Sequence, residues 1–555
     1  MKKLPLGIEN FPEIAKDCYY VDKTLVIRDI LQLPKTSVLL FTRPRRFGKS
    51  LLLSMIQTFF EKSSTDPDVY FHFLKIAKEN PKIYNQRGQY PVISLSFKDD
   101  YGTSFEEILS RSKHILALEY ARHEDILGSD LLSDQERKYF QGIESENLDA
   151  VNTSYAISAL LMMLEKCEKQ KPILLIDEYD TPIQSAYENG FYKEAIDFFK
   201  PLYGQALKGN RSLSYSIITG VLEIAKESLF SGLNNLNVST ILDDSHDDLL
   251  GFTLEETREL LKYFSLDDKL DEVKKWYGGY TFGQKEIINP WSVLKYIESR
   301  KFAPYWVNTS SNSILGTLII NEDLTLGDTL SRLLSGERAN ALINSSFTYS
   351  DIKNNRGVLL SFLAFLGYLS ARSSSVYGIY SLSIPNEEIL LIFQNEIISR
   401  LYQDNGADLI IDFSKAFQTG DEKEIERLLK TTLLSSLSYY DFNYEKTYQI
   451  MILTLLTLTF ENAEVKSEVN SGEGRCDILV IPKNRSRTGL VIEIRYLKQR
   501  TSEARLKASS EAALNQIMKK DYPEELKKDG INHVLCYGIS FARKNVSISS
   551  KKIKY

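Results

Sequence analysis

The chain is poor in the residues that build metal clusters and disulfide frameworks. Its 555 residues include four cysteines, Cys18, Cys167, Cys476 and Cys536, widely separated and without a C-x-x-C pair. That spacing excludes a recognisable zinc module and points to a reducing compartment. The five histidines, His72, His114, His123, His246 and His533, show no H-x-x-x-H spacing. Long apolar runs are also missing. The longest, Thr447 to Phe460, is closed by Lys446 and Glu461 after 14 residues, short of the ~20 that a bilayer-spanning helix needs. Lys2 and Lys3 have no apolar core behind them, so the expectation is no secretory leader, no membrane partner and a cytoplasmic location. Nor is there a large excess of charge. With a formal net charge of −6, any nucleic-acid contact has to come from a local basic patch. There is no internal repeat and no low-complexity tract.

What is present is an ordinary globular composition, 43% hydrophobic and 26% charged, on a chain long enough for roughly two to four domains. The first third alternates apolar runs with helix-period segments. Ser37–Pro44, Tyr90–Phe97, Lys171–Glu178 and Leu213–Gly220 read as strands, with helical patterns such as Thr153–Gln170 between them. That order predicts a parallel α/β sheet. From about Gly251 the strands thin out. Thr253–Phe264 and Asn289–Lys301 read as helices, with Trp276–Gly283, "WYGGYTFG", as a glycine-rich loop between them. Val358–Ser370 reads as an apolar helix, and Tyr368–Ile384 contains a hairpin with a serine-rich turn, an order compatible with a winged helix. Asp404–Leu437 reads as amphipathic helix. A second α/β domain follows, with strands at Arg475–Ile481, Thr488–Tyr496 and His533–Phe541 and a long helix before the last. The basic tail Ser550–Tyr555 reads as disordered.

"FTRPRRFGKSLLLSM" follows the first strand. In a phosphate-binding loop, backbone N–H groups cradle phosphates, a Lys reaches the β/γ-phosphates and a Ser/Thr hydroxyl binds Mg²⁺. Gly48, Lys49 and Ser50 match the end of that motif, while Arg43 stands where its first Gly belongs. The third strand ends in Asp177 and Glu178. An Asp there can hold Mg²⁺, and the following Glu can orient or activate water. Thr219, at the end of the fourth strand, is placed to contact the γ-phosphate or the attacking water.

"YYVDKT", "FTRPRRFGKS", "LLIDEYDTPI", "TGVLEIAKESLFSGLNN", "WYGGYTFG", "NPWS", "GYLS" and "SIPNEEI" together resemble the bacterial AAA-ATPase-like proteins that end in a PD-(D/E)XK nuclease-like domain. The resemblance implies an α/β chain in four parts: a STAND-like P-loop ATPase domain over 1–250, a helical lid over 251–335, a winged-helix-like module over 336–403 and a restriction-endonuclease-like domain over 404–555. It implies ATP and Mg²⁺ as ligands, with the loop Arg43, Pro44, Arg45, Arg46, Phe47, Gly48, Lys49, Ser50 and Leu51, together with Asp177 and Thr219, around the nucleotide. This chain departs from the family at Glu223, where an Arg is usual. Hydrolysis would then be slow, or depend on Arg45, Arg46 or Arg211.

Metal-dependent phosphodiester cleavage needs carboxylates that hold Mg²⁺ or Mn²⁺. The nuclease fold sets an Asp on one strand and Glu-x-Lys on the next. Asp477 and, sixteen residues on, Glu493-Ile494-Arg495 take those places. Residues two apart on a strand share a face, so Glu493 and Arg495 lie side by side. Gln516 and Tyr522 match polar positions of the nuclease family, and Glu445 is a further candidate ligand. Arg495 stays protonated and cannot serve as a base as Lys can. Lys498 faces the other side of its strand, and Lys507 is a candidate from the next helix. Lys483–Lys507 holds eight Lys/Arg and two acids, a candidate DNA-binding patch. Three readings stay open: an ATP-regulated nuclease in defence against foreign DNA; a nucleotide-switched DNA-binding or signalling protein with an inactive nuclease-like domain; and an ATPase machine acting as a homo-oligomer.

Overall fold

The four apolar runs of the first third fold as strands, β1 (Val38–Thr42), β2 (Val92–Ser96), β3 (Ile173–Asp177) and β4 (Tyr215–Gly220). The computed structural model describes residues 2–223, 233–306, 327–345, 347, 351, 356–402, 406–435, 445–460, 463–471, 474–497 and 501–555. A fifth strand, β5 (Leu236–Ser239), is too short and too polar to stand out in the sequence. The sheet order is β2-β3-β4-β1-β5, and every pairing is parallel. β1, β3 and β4 are buried along their whole length. Burial on both faces is why these strands read as continuous apolar runs instead of alternating ones. The apolar side of α1 (Lys49–Phe60), with Leu52, Met55, Ile56 and Phe59, packs on Leu39, Phe41 and Leu175. Because the strands are parallel, Thr42, Asp177 and Gly220 all end at one edge.

The chain divides into two compact units, residues 1–306 with 342–380, and residues 307–341 with 381–555. Within the first, β6 (Phe252–Thr253) leads into α2 (Leu254–Tyr263), started by a capping box between Thr253 and Glu256. α3 (Leu270–Tyr277) follows. The segment "WYGGYTFG" is not simply a loop. Trp276 and Tyr277 end α3, Gly278 and Gly279 break it, and β7 (Tyr280–Phe282) pairs with β8 (Lys285–Ile288). The two glycines masked a short Tyr-Thr-Phe strand. α4 (Pro290–Ser299) starts at an Asn289 cap. Further on, β9 (Ala339–Leu342), α5 (Arg356–Leu366), β10 (Ser370–Ser373) and β11 (Ile379–Ser383) follow, with the three strands in the order β10-β11-β9. The expected hairpin is therefore present.

The helical stretch expected from Asp404 is two helices, α6 (Gly406–Thr419) and α7 (Glu422–Ser435), parted at Gly420 with φ 80°. The apolar run at 447–460 lies in α8 (Glu445–Thr459). β12 (Ala463–Ser471), β13 (Gly474–Pro482), β14 (Gly489–Tyr496), β15 (His533–Ala542) and β16 (Asn545–Lys554) form one sheet in that order. Only the β14–β15 pairing is parallel, and its crossover carries α9 (Glu503–Lys519) and α10 (Glu524–Lys528). One sheet face packs on α6 and α8: Tyr537 donates to the Phe417 carbonyl at 3.0 Å, and Tyr448 stacks on Phe541 at 4.2 Å. α9 covers the other face so closely that a Cβ on Gly538 would lie 2.2 Å from the Ser510 carbonyl oxygen and 2.4 Å from the Leu514 nitrogen.

The basic tail is a strand, contrary to expectation. β16 is paired along its length with β15, and Glu422 accepts from the Ser550 N–H at 2.6 Å. Lys551, Lys552 and Lys554 sit on this sheet edge, where charge discourages pairing with another chain. All four cysteines are free thiols. No described helix is long and apolar enough to cross a membrane.

Candidate functional sites at two sheet edges

The first site lies where β1, β3 and β4 end. Gly48, at φ 97°, precedes α1. That left-handed value suits glycine alone among common residues, and it turns the first N–H groups of α1 toward the strand ends, as an anion site requires. Lys49 is buried, and its Nζ donates to the Arg43 and Pro44 carbonyls at 3.0 Å each. Burial lowers its pKa, opposed by Glu178, Asp177 and Asp180. Ser50 donates to Asp177 Oδ2 at 2.6 Å, and Thr219 donates to Asp177 Oδ1. One carboxylate thus joins the helix start to two strand ends. Glu178 follows at φ 50°, its carboxyl raised by burial and by Asp177 and lowered by Lys49.

The other loop residues are held by distant parts of the same unit. The Arg43 side chain is fully buried. It donates to the Thr42, Ser239 and His246 carbonyls, so only its main chain can serve a nucleotide. Pro44 meets Gly367, where a Cβ would come within 2.9 Å. Trp306 donates its indole N–H to the Arg45 carbonyl at 3.1 Å. Arg46 lies over the Trp291 ring at 4.5 Å and donates to the Tyr305 carbonyl. Phe47 packs between Tyr280 and Phe282, and Leu51 packs on the core. Glu223 is held by a hydrogen bond with Ser345, and burial raises its carboxyl.

Sequence reasoning missed Asp180, although it stands in the same "LLIDEYD" run. It is buried, accepts from the Val221 and Leu222 N–H groups at 2.8 and 2.9 Å, and leaves Oδ1 without a partner. Tyr179 adds bonds to Thr219 and Leu222. Gly220 has no room for a side chain here, since a Cβ would lie 2.6 Å from the Tyr179 ring.

The second site is on β13 and β14. Ile478 pairs with Ile492, which sets Asp477 level with Glu493. Asp477 accepts from the Ile494 N–H at 2.6 Å. Glu493 is 6% exposed; Oε1 accepts from Gln516, and Oε2 has no partner. Burial first, and Asp477 second, push Glu493 up to about 8, with Arg495 opposing. Arg495 donates to Gln516 Oε1 at 2.9 Å. Gln516 therefore bridges the acid and the cation, and Tyr522 stands 3.5 Å from its amide nitrogen. Glu445 accepts from the Tyr496 N–H at 3.2 Å, and its charge adds to the rise of the Glu493 carboxyl. Gln449, not anticipated, donates to the Asp477 carbonyl.

Part of the basic run lies away from this site. Lys483, Arg485 and Arg487 lie in the turn at the far end of the β13–β14 hairpin, roughly 15 Å away at strand rise. Lys507 does not reach the acids; it donates to the Ile548 carbonyl at 2.8 Å. Lys498 lies outside the described residues.

Residues 5–230 match the family model described as a predicted AAA-ATPase, and residues 443–551 match that of the PD-(D/E)XK nuclease superfamily. The chain carries an AAA-ATPase-like domain followed by a PD-(D/E)XK nuclease-superfamily domain. A curated relative, an "Uncharacterized protein in vnfD 5'region" of Azotobacter chroococcum mcd 1, is 26% identical over 405 residues, spanning 72% of this chain and 70% of its own.

Proposed function

We propose that the protein binds and hydrolyses ATP at the Lys49 site and cleaves DNA with a divalent metal at the Asp477–Glu493 site, in defence against foreign DNA. The observation that carries the nuclease reading is the buried Glu493 Oε2, which has no partner and stands level with Asp477. Burying a carboxylate beside a second, partly exposed one is costly unless a cation or a proton joins them. Two carboxylates plus water suit Mg²⁺, which keeps much of its hydration shell. Asp477 and Glu493 would hold the ion, and no group of three or more His, Cys, Asp or Glu stands ready for one among the described residues. When bound, the metal supplies charge stabilisation at the scissile phosphate and an acidified water. Arg495, fixed by Gln516, binds phosphate and takes no part as a base.

At the first site, Ser50 and Asp177 would hold the Mg²⁺ that accompanies ATP, the α1 N–H groups and Lys49 would bind phosphates, and Glu178 with Thr219 would orient water. The reading of 1–250 as motor and 404–555 as nuclease, with 251–403 as lid and winged-helix-like module between, belongs to the same proposal. Lys49→Ala is expected to lower ATP affinity at least ~10-fold, because it removes the only buried cation of the loop directed at phosphate. Equilibrium binding of a fluorescent ATP analogue measures this, and unchanged affinity would remove Lys49 from the site.

The whole reading is tested by incubating the full chain with plasmid and linear DNA, with Mg²⁺ or Mn²⁺, with and without ATP. Metal-dependent cleavage is expected. DNA binding without cleavage under every condition would instead favour a nucleotide-switched DNA-binding protein. The bond from Arg495 to Gln516, in place of a mobile Lys, is the observation on that side.

A further inference from the structure

Glu223, just beyond the fourth strand, brings no cation to the phosphate loop, and the structure separates the nearby arginines. Arg43 is buried and occupied by three carbonyls. Arg46 lies on Trp291 and bonds Tyr305. Arg211 precedes β4, at the end of the sheet opposite the phosphate loop, and is exposed; β4 alone separates it from that loop by roughly 20 Å. Arg45 is different. Its guanidinium donates to the Tyr101 hydroxyl at 3.1 Å. Tyr101 belongs to the segment that follows β2, and Gly102 in that segment is tied to Ser185 by bonds in both directions. Arg45 also lies close enough to Lys49 and to Glu178 to act on the charge of both.

We infer that Arg45 is the charge-stabilising cation of ATP hydrolysis in this chain, held in place by the Tyr101 hydroxyl. This rests on the ATPase reading given above and names the group that completes it. In the step concerned, the oxygen of water bonds to the γ-phosphorus while the bond from that phosphorus to the β,γ-bridging oxygen breaks. The bonding pair stays on ADP, and the water proton ends on phosphate or solvent. Negative charge grows on the bridging and γ-oxygens, and a guanidinium from the same loop as Lys49 meets it with donors in a fixed plane. Tyr101 is a positioning residue: its hydroxyl accepts from Arg45 and fixes that plane. The Trp306 bond to the Arg45 carbonyl holds the backbone of the same residue.

The test compares the full chain with Arg45→Ala, Arg45→Lys, Tyr101→Phe and Arg211→Ala. Three quantities are read: steady-state kcat for ATP, Kd for Mg·ADP, and Kd for Mg·ADP with aluminium fluoride, which imitates the transferring phosphoryl group. Arg45→Ala is expected to lower kcat ~10²-fold or more. It should erase most of the gain in affinity that aluminium fluoride gives, with the ADP Kd within about 3-fold as proof of fold. Arg45→Lys should recover part of kcat. Tyr101→Phe should lower kcat by roughly 3- to 10-fold without moving the ADP Kd, as loss of one orienting hydrogen bond predicts. Arg211→Ala should change nothing. Wild-type turnover with Arg45→Ala within about 3-fold of it would overturn the assignment of Arg45 while leaving the ATPase intact. A wild-type chain that binds ADP but neither hydrolyses ATP nor gains affinity from aluminium fluoride would overturn both.

Discussion

Glu493→Gln is expected to abolish DNA cleavage while leaving the metal-free protein as stable as the wild type, or more so. The loss of activity should reach about 10³-fold, since metal-borne charge stabilisation is worth several kcal/mol and each 1.36 kcal/mol is tenfold. The stability follows from the site itself. Glu493 is buried beside Asp477 with one oxygen unsatisfied, so in the absence of a cation its ionised form works against folding. Its carboxyl is pushed from 4.5 to about 8. The folded chain therefore holds this proton more tightly than the unfolded chain does. Metal-free stability should fall as pH rises from about 4.5 to about 8, by up to about 1.4 kcal/mol per pH unit for this one proton. In Glu493→Gln that slope should vanish. Mg²⁺ or Mn²⁺ should raise the wild-type Tm at pH 8 through binding to the folded state alone, and should leave the variant unmoved. Thermal melts across pH, with and without metal, test this. A variant that still responds to metal as the wild type does would place the ion elsewhere.

Gly538→Ala is expected to cost the C-terminal domain more than most single substitutions. The added methyl would meet the Ser510 carbonyl oxygen at 2.2 Å and the Leu514 nitrogen at 2.4 Å. Both are backbone atoms of α9 and cannot turn aside as a side-chain end can. Overpacking ordinarily costs about 1–3 kcal/mol, and here the whole helix must move off the sheet. A loss of roughly 10 °C or more in the unfolding transition of this domain follows. The helix also carries Gln516 to Glu493 and Arg495, so cleavage should fall with it. Calorimetry of the full chain reads the transition; a shift under about 2 °C would mean that α9 has slack the packing does not reveal.

How far the sequence could be read depended on the range of the forces involved. Strands buried on both faces announced themselves, and so did Asp177 and Glu178 at the end of β3, because apolar run and terminal acid are local signals. Asp477 and Glu493 were readable as a spaced pair. Their shared level on β13 and β14 is a matter of hairpin register, which the turn between them sets. What could not be read was non-local. Nothing in "FTRPRRF" says that the Arg43 side chain turns inward to Ser239 and His246, or that Arg45 meets Tyr101, fifty-six residues away. The basic run from Lys483 looked like one patch because charge was counted along the chain, whereas the hairpin carries its turn away from the acids. The second half of β16, from Ser550, was read as a loose tail because its strand pattern is diluted by lysines whose place on an edge only the sheet order reveals.

The packing of loop 44–47 has an optical consequence. Two of the three tryptophans in the chain touch this loop, Trp291 beneath the Arg46 guanidinium and Trp306 on the Arg45 carbonyl. Indole emission is sensitive to a nearby cation and to the hydrogen bond of its N–H. The arrival of phosphate at the loop should therefore be visible in the native fluorescence of the unlabelled protein. Trp291→Phe and Trp306→Phe would assign each part of that signal to one side of the loop.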